Sequence, residues 1–460
     1  MSKGIDFGGR PFHFLGVGGI GMSALAYVLA KRDIPVFGSD LKRNNIIERL
    51  ESVGVKVFTG QTASNIDSFK DQLPQVICST AINKSNPELA AALAKGCDIW
   101  HRSDVLAALI AEYHSIAVAG THGKTTTSSM VGCVLVEAGL DPTIIIGGEV
   151  STWEGNARTG ATDYLVAEAD ESDGSLTKHK PHIGIITNIE LDHTDHYASL
   201  EAVIQTFQTF AGNCKTLIGS LDCPLVAEKI KPAISYGIHS DSTADYTVKE
   251  VVYGSYTTKA QVYERGVLLG NLELKVLGEH NLSNALGAVA VARFLDVDFA
   301  AIAAGLLTFI GAKRRFELRG QHGDISFVDD YAHHPSEIAV TLTSAKLRIQ
   351  APYRVIAAFQ PHRYSRTLTF LAGFAESLAA ADLVVITDIY SAGEANDGRV
   401  SSEQLVAEIS KINPQVVYKA TLPEVTEYLH QTLQAGDMAL FLGAGNLNQI
   451  IPDVMAFYQT

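Results

Sequence analysis

One stretch, Gly120-Thr121-His122-Gly123-Lys124-Thr125-Thr126-Thr127, constrains this chain more than any other. The apolar run at residues 115–119 precedes it and reads as a strand, and residues 128–136 follow it and read as a helix. Strand, glycine turn and helix start together make an anion cradle. Exposed backbone N–H groups and the helix dipole attract phosphate, and the glycines let backbone approach it closely. Lys124 adds a mobile positive charge, and the Thr125 hydroxyl stands where it can ligate Mg²⁺. The full pattern G-x-x-x-x-G-K-[ST] places its first glycine where this chain has Val118, so the loop is a shortened G-x-x-G-K-T.

A chain of 460 residues suggests about three domains of roughly 150 residues each. The first hundred residues alternate strand and helix signals, with strands expected at 11–15, 35–38, 55–58 and 75–78 and a helix at 21–30. That rhythm predicts a parallel sheet covered by helices. A second α/β unit begins near Ser115 and continues through strands at 163–167 and 182–187. Residues 244–276 alternate like a small antiparallel sheet, residues 282–309 are Ala-rich and helical, and the basic stretch 311–316 reads as a linker. A third α/β unit follows, with strands at 325–328, 353–359, 383–386 and 438–442.

Composition limits the partners. A formal net charge of −14 and the lack of a basic stripe argue against a nucleic-acid binder. The cysteines Cys78, Cys97, Cys133, Cys214 and Cys223 form no C-x-x-C pair and sit mostly in apolar runs, which predicts buried, reduced thiols and a cytoplasmic protein. No run approaches the roughly 18 apolar residues of a membrane span, and the N-terminus lacks a long apolar leader.

Further clusters follow the expected strands. Gly16-Val17-Gly18-Gly19-Ile20-Gly21 matches G-x-G-x-x-G after a strand and at a helix start, with Asp40 nineteen residues beyond Gly21. Alone it favours a nicotinamide-dependent oxidoreductase, but a UDP-linked ligand satisfies the same physics. Glu168-Ala169-Asp170-Glu171-Ser172-Asp173 crowds four carboxylates at a strand end; it is either a solvated acidic loop or a Mg²⁺ ligand set facing a triphosphate. His193, beside Asp192 and Asp195 after the next strand, reads as a second metal site or as an ordinary histidine. Residues 278–285 hold His280, Asn281 and Asn284, which either cap a helix or contact a nucleotide. In the last unit, Tyr331, His333 and His334, then His362, Arg363 and Arg366, can bind a small carboxylate through bidentate arginine. The clusters 388–394 and 443–446 read as further site loops or as turn chemistry.

With these residues in hand, the chain resembles the Mur ligase family over its whole length. The resemblance rests on residues 16–23, 120–127, 168–173, 188–193 (N-I-E-L-D-H), 278–284, 329–335 (D-D-Y-A-H-H-P), 359–366 (F-Q-P-H-R-Y-S-R) and 443–446 (G-A-G-N). It implies a Rossmann-like UDP-sugar domain at 1–108, a central ATP domain of phosphate-loop type at 109–314 and a Rossmann-like amino-acid domain at 315–460. It implies an ATP-dependent ligase of peptidoglycan precursor synthesis, and hence of cell-wall biogenesis, cell shape and cell division. The expected chemistry joins L-alanine to the lactyl carboxylate of UDP-N-acetylmuramate through an acyl phosphate. A relative that attaches a murein tripeptide is the alternative. The resemblance further implies ATP binding by Gly120, Thr121, His122, Gly123, Lys124, Thr125, Thr126, His280, Asn281, Asn284, Arg315 and Asp330. Two Mg²⁺ ions are expected on Thr125, Glu168 and His193. Contacts to the UDP-sugar are expected from Gly16, Gly18, Gly19, Ile20, Gly21, Met22, Ser23, Asp40 and Ser79, and an L-alanine pocket from Tyr331, His333, His362, Arg363 and Arg366. Lys124, Glu168, His193, Arg315 and Asp330 carry catalysis in this reading, in a monomer or homodimer. Family members for later amino acids use a carbamylated lysine about fifteen residues past the His193 position. Here that position is Gln208, with no lysine between Asp195 and Lys215, which fits the L-alanine member or its tripeptide relative.

Overall fold

The computed structural model describes residues 4–239, 243–349 and 351–459. Three sheets organise them. The first is wholly parallel, in the order Lys56–Thr59, Val36–Asp40, Phe12–Leu15, Gln75–Cys78, Asp98–His101. Phe12–Leu15 is buried along its whole length, as a strand covered by helices on both faces must be. Its neighbours run on in opposite directions through the sequence, so the chain reverses its winding between Phe12–Leu15 and Gln75–Cys78. That reversal opens a crevice at the strands' carboxyl ends.

The second sheet has ten strands, and its middle is parallel: Thr216–Ser220, Ile183–Ile186, His114–Ala119, Tyr164–Glu168, Thr143–Val150. The antiparallel strands Tyr246–Tyr253, Thr258–Glu264 and Val267–Leu274 do not form the separate small sheet the sequence suggests. Tyr236 pairs with Tyr246 and Gly237 with Thr247 in a parallel ladder, which fuses them to the central sheet through Ile234–Gly237. The Ala-rich stretch is two helices, Glu279–Phe294 and Phe299–Thr308, broken where Asp298 caps the second. The third sheet runs Glu317–His322, Ile325–Asp330, Met438–Leu442, Val355–Phe359, Leu383–Ile386, Val416–Tyr418, with only the first strand antiparallel.

The packing between units is uneven. One apolar core runs unbroken from Phe12, Phe14 and Leu25 of the first sheet's layers to Ala117, Leu165, Phe207 and Phe210 of the second. The third sheet buries its own two clusters, around Phe359 and Phe374 on one face and Phe327 and Phe441 on the other. Cys97 and Cys133 are buried, while Cys78, Cys214 and Cys223 are half-buried. Among the described residues, no helix is long and apolar enough to cross a membrane.

Candidate active site

A cleft of about 1480 Å³ lies where the carboxyl ends of the three sheets converge. Single-ligand pockets are typically about 300–1,000 Å³, so this one has room for more than one reactant. Its first wall is the turn after Phe12–Leu15. Gly16, Gly18, Gly19, Ile20, Gly21 and Met22 line it, with Asp40 and Ser79 from the next strand ends. No side chain caps the helix Ile20–Lys31, which leaves its first turn available to an anion. Asp40 is turned onto the loop itself, accepting the Gly18 N–H at 2.9 Å and the Lys42 N–H at 3.2 Å. Ser23 does not reach the cleft. It is buried, donates to the Ile20 carbonyl at 3.0 Å and accepts from Asn156 Nδ2 at 2.9 Å, joining the first unit to the second. Arg102 is a lining cation that sequence reasoning missed. It packs against Gly21 and pairs with Asp170 Oδ2 at 3.3 Å and Asp173 Oδ2 at 3.8 Å. A single arginine at a helix start carries no spacing signature.

The second wall is the phosphate loop. Gly123, at φ 82°, starts the helix Lys124–Glu137 without a side-chain cap. A Cβ on it would stand 2.6 Å from Asn284 Oδ1, and one on Gly120, at φ 140°, 1.9 Å from Thr187 Oγ1. Both positions demand glycine. Lys124 Nζ donates to the carbonyls of Gly120 (2.7 Å) and Thr121 (3.0 Å) and to Glu171 Oε2 (2.8 Å). Desolvation works to lower the Lys124 pKa, but Glu171, Asp170 and Glu168 outweigh it and raise it. Glu171 itself is buried, and burial pushes its carboxyl up to about 7.

The carboxylates after Tyr164–Glu168 divide into two groups. Glu168 Oε2 accepts from Thr125 Oγ1 at 2.8 Å and from the Gly147 N–H at 2.7 Å. Asp170, Glu171 and His193 bring ligand-capable atoms within 4.8 Å of one another, and His122, Glu190 and His334 form a second such trio. His193 therefore meets Asp170 and Glu171 rather than Glu168. Desolvation lowers the His193 pKa against the pull of Asp192, which favours the neutral ring that a metal ligand requires.

A smaller cavity of about 240 Å³ opens behind the phosphate loop, lined by Gly123, Thr125, Thr126, His280, Asn281, Asn284, Arg315 and Asp330. The Asn side chains do not cap their helix, whose start at Gly278 has no side-chain cap. Asn281 Nδ2 donates to the Leu277 carbonyl at 2.7 Å, and Asn284 Oδ1 accepts from Thr127 Oγ1 at 3.1 Å. Desolvation and the nearby Arg315 push His280 down to about 4. Asp330 accepts the N–H groups of Phe316 and Ala332, both at 2.7 Å, and burial raises it to about 6.

The third wall belongs to the last unit. Tyr331, His333, His362, Arg363 and Arg366 all line the large cleft. The arginines are not free. Arg366 directs Nε (3.1 Å) and Nη2 (2.7 Å) to Asp192 Oδ1, and Arg363 Nη1 meets Asp195 Oδ2 at 2.8 Å. Burial alone would raise the Asp192 carboxyl; Arg366, His193 and His333 hold it well below the usual carboxylate range. Desolvation drives His333 down to about 4 and His362 to about 3, so both imidazoles are neutral near pH 7 and gain charge only in the acid range where the neighbouring carboxylates titrate.

Family profiles match this architecture in order: "Mur ligase family, catalytic domain" over residues 11–114, "Mur ligase middle domain" over 118–292 and "Mur ligase, glutamate ligase domain" over 314–445. A UDP-N-acetylmuramate–L-alanine ligase of Nostoc punctiforme is 64% identical, covering 100% of this chain and 98% of its own. One from Microcystis aeruginosa is 55% identical, covering 99% and 98%. The crystal structure of a UDP-N-acetylmuramate–alanine ligase from Thermotoga maritima superposes with a TM-score of 0.82 at 29% identity, over 98% of this chain and 99% of that one. A murein peptide ligase from Psychrobacter arcticus shares the fold, with a TM-score of 0.71 at 23% identity over 98% and 99%.

Proposed function

The chain belongs to the Mur ligase family, and from that premise we propose that it is an ATP-dependent ligase forming the amide bond between L-alanine and the lactyl carboxylate of UDP-N-acetylmuramate. The observation that carries this reading is the meeting of two uncapped, glycine-started helices on one cleft, Ile20–Lys31 and Lys124–Glu137. A sugar diphosphate on the first and a triphosphate on the second bring carboxylate and γ-phosphoryl together. The choice of L-alanine over a tripeptide is supported by the names of the relatives at 55–64% identity.

Each unit has its task, with boundaries near residues 108 and 314. The loop at 16–22, with Asp40 and Ser79, holds the UDP-sugar. The loop at 120–126 takes the phosphates, while His280, Asn281, Asn284, Arg315 and Asp330 surround the rest of ATP. Lys124 exchanges Glu171 for the transferring phosphoryl and neutralises its charge, a catalysis of positioning and electrostatics. Mg²⁺ is a hard cation that prefers oxygen ligands; the Thr125 hydroxyl and the carboxylates of Glu168, Asp170 and Glu171 meet that preference, and His193 adds one nitrogen donor. Thr125 and Glu168 would hold one ion, and His193 with Asp170 and Glu171 a second. Such ions supply charge neutralisation at the phosphoryl oxygens.

Two bond exchanges complete the reaction. The lactyl carboxylate oxygen attacks the γ-phosphorus and ADP leaves. The L-alanine ammonium first gives one proton to solvent; its amine nitrogen then attacks the acyl carbon, the C–O bond breaks, phosphate departs, and a second proton follows the first. Tyr331, His333 and His362 shape the amine's approach. Arg363 and Arg366 bind its carboxylate only by sharing or releasing Asp195 and Asp192. Docking of the last unit excludes water that would hydrolyse the acyl phosphate. The test is phosphate release with ATP, Mg²⁺, UDP-N-acetylmuramate and L-alanine. Release only with a tripeptide, or none with either amine, rejects the proposal.

A further inference from the structure

The side chain of His122 lines the cavity behind the phosphate loop and is also tied to residues outside that loop. Its Nδ1 meets Glu337 Oε1 at 3.2 Å, and its Nε2 meets Ser336 Oγ at 3.1 Å with Glu190 Oε2 at 3.4 Å. Ser336 Oγ donates to Glu190 Oε2 at 2.9 Å, closing the ring of contacts. A side chain wedged between two carboxylates is poorly placed to receive a polyphosphate.

Three segments meet at this joint. His122 lies in the nucleotide loop, Glu190 follows the strand Ile183–Ile186, and Ser336 and Glu337 form the first turn of the helix Pro335–Arg348 in the last unit. Glu337 is fixed independently, because its Oε2 accepts the His333 N–H at 2.9 Å and the His334 N–H at 3.3 Å in a capping box. Its Oε1 also faces Arg315 Nη1 at 3.6 Å. One carboxylate oxygen therefore touches both the phosphate loop and the arginine assigned to ATP. Glu337 is held well below its usual pKa: desolvation opposes this, and His333, His122 and Arg315 prevail.

We propose that His122 is a positioning residue, which ties the phosphate loop to the first turn of Pro335–Arg348 so that Lys124 and Arg315 align only when the last unit is docked. The proposal rests on the reading of residues 120–126 as the ATP loop. It makes phosphoryl transfer conditional on closure of the unit that delivers the amine.

The test is a double-mutant cycle in the full chain with His122→Asn and Glu337→Gln, reading kcat for phosphate release, affinity for ADP and the thermal midpoint. Each single change should lower kcat by about tenfold to a hundredfold, as loss of an orienting partner does. The double variant should be no slower than the worse single one, and its ADP affinity no weaker than that of the weaker single one. Multiplying effects in the double variant, or a loss confined to ADP affinity with kcat unchanged, would overturn the proposal. Should Glu337→Gln disturb the capped helix and lower the midpoint, Ser336→Ala replaces it in the cycle with the same criteria. Lys124→Ala separates the two readings. If that variant still turns over, the ATP-loop assignment falls and this proposal with it; if it is inactive while the cycle multiplies, only the His122 proposal falls.

Discussion

The turns at 16–21 and 120–123 are built alike and charged differently. Each follows a buried strand, opens a helix with no side-chain cap, and lines the same cleft. Around the first, Asp40 faces the loop's own backbone and Arg102 stands at the rim. Around the second, Lys124 pairs with the buried Glu171, His193 stands near Glu171 and Asp192, and Glu168 accepts from the Thr125 hydroxyl. Backbone geometry alone makes a phosphate binder; the surrounding charges decide whether phosphate is held or transferred. A binding turn needs fixed dipoles, whereas a transferring turn needs a cation that can follow the moving charge.

The largest effect expected from this contrast is at Lys124. Lys124→Ala should cut phosphate release by about 10²–10³-fold or more, while UDP-sugar affinity measured by calorimetry stays. Loss of both would erase the distinction between the turns. Next comes Gly123→Ala, which sets a Cβ 2.6 Å from Asn284 Oδ1 at φ 82°. The left-handed conformation costs about 1–2 kcal/mol, and ATP KM should rise by roughly tenfold or more. Gly18 lies outside the left-handed region, and a Cβ there meets only side-chain atoms, Asp40 Oδ2 at 2.9 Å, Asn44 Nδ2 at 3.2 Å and Ile47 Cδ1 at 3.3 Å. Those can swing aside, so UDP-sugar KM should rise by only about two- to threefold.

The nucleotide side should also respond to acid. His280 is pushed down to about 4 from an ordinary value of 6.5, so the unfolded chain takes up its proton first. Stability then falls as pH drops from about 6.5 toward 4, and His280→Asn should make that slope shallower in thermal melts, leaving the share of His333 and His362. An unchanged slope would clear His280 of the effect. Ser23→Ala gives the smallest change, about 1 kcal/mol from a lost hydrogen bond, read as a lower thermal midpoint with UDP-sugar KM within about twofold.

Much of this was legible in the sequence, because glycine turns and apolar parallel strands leave local marks. Gln75–Cys78 and Leu383–Ile386 fall where their apolar runs stand. Strands with mixed composition, such as Asp98–His101 and Gly155–Arg158, left no such mark and take their form from the sheet neighbours they pair with. At the site, the loops were visible but their partners were not. That Arg366 would meet Asp192, or His122 would meet Glu337, depends on units 174 and 215 residues apart coming together. Ser23 continues the glycine motif in sequence yet faces Asn156, since the helix carries it away from the cleft by its own rotation.

The most direct measurement follows oxygen. UDP-N-acetylmuramate labelled with ¹⁸O in its lactyl carboxylate is turned over with ATP and L-alanine, and the released phosphate is weighed by mass spectrometry. If the two turns present carboxylate and γ-phosphoryl to each other, each phosphate carries one labelled oxygen from the acid. Phosphate released without label would mean that the triphosphate is not aimed at the sugar's carboxylate, and the account would fail.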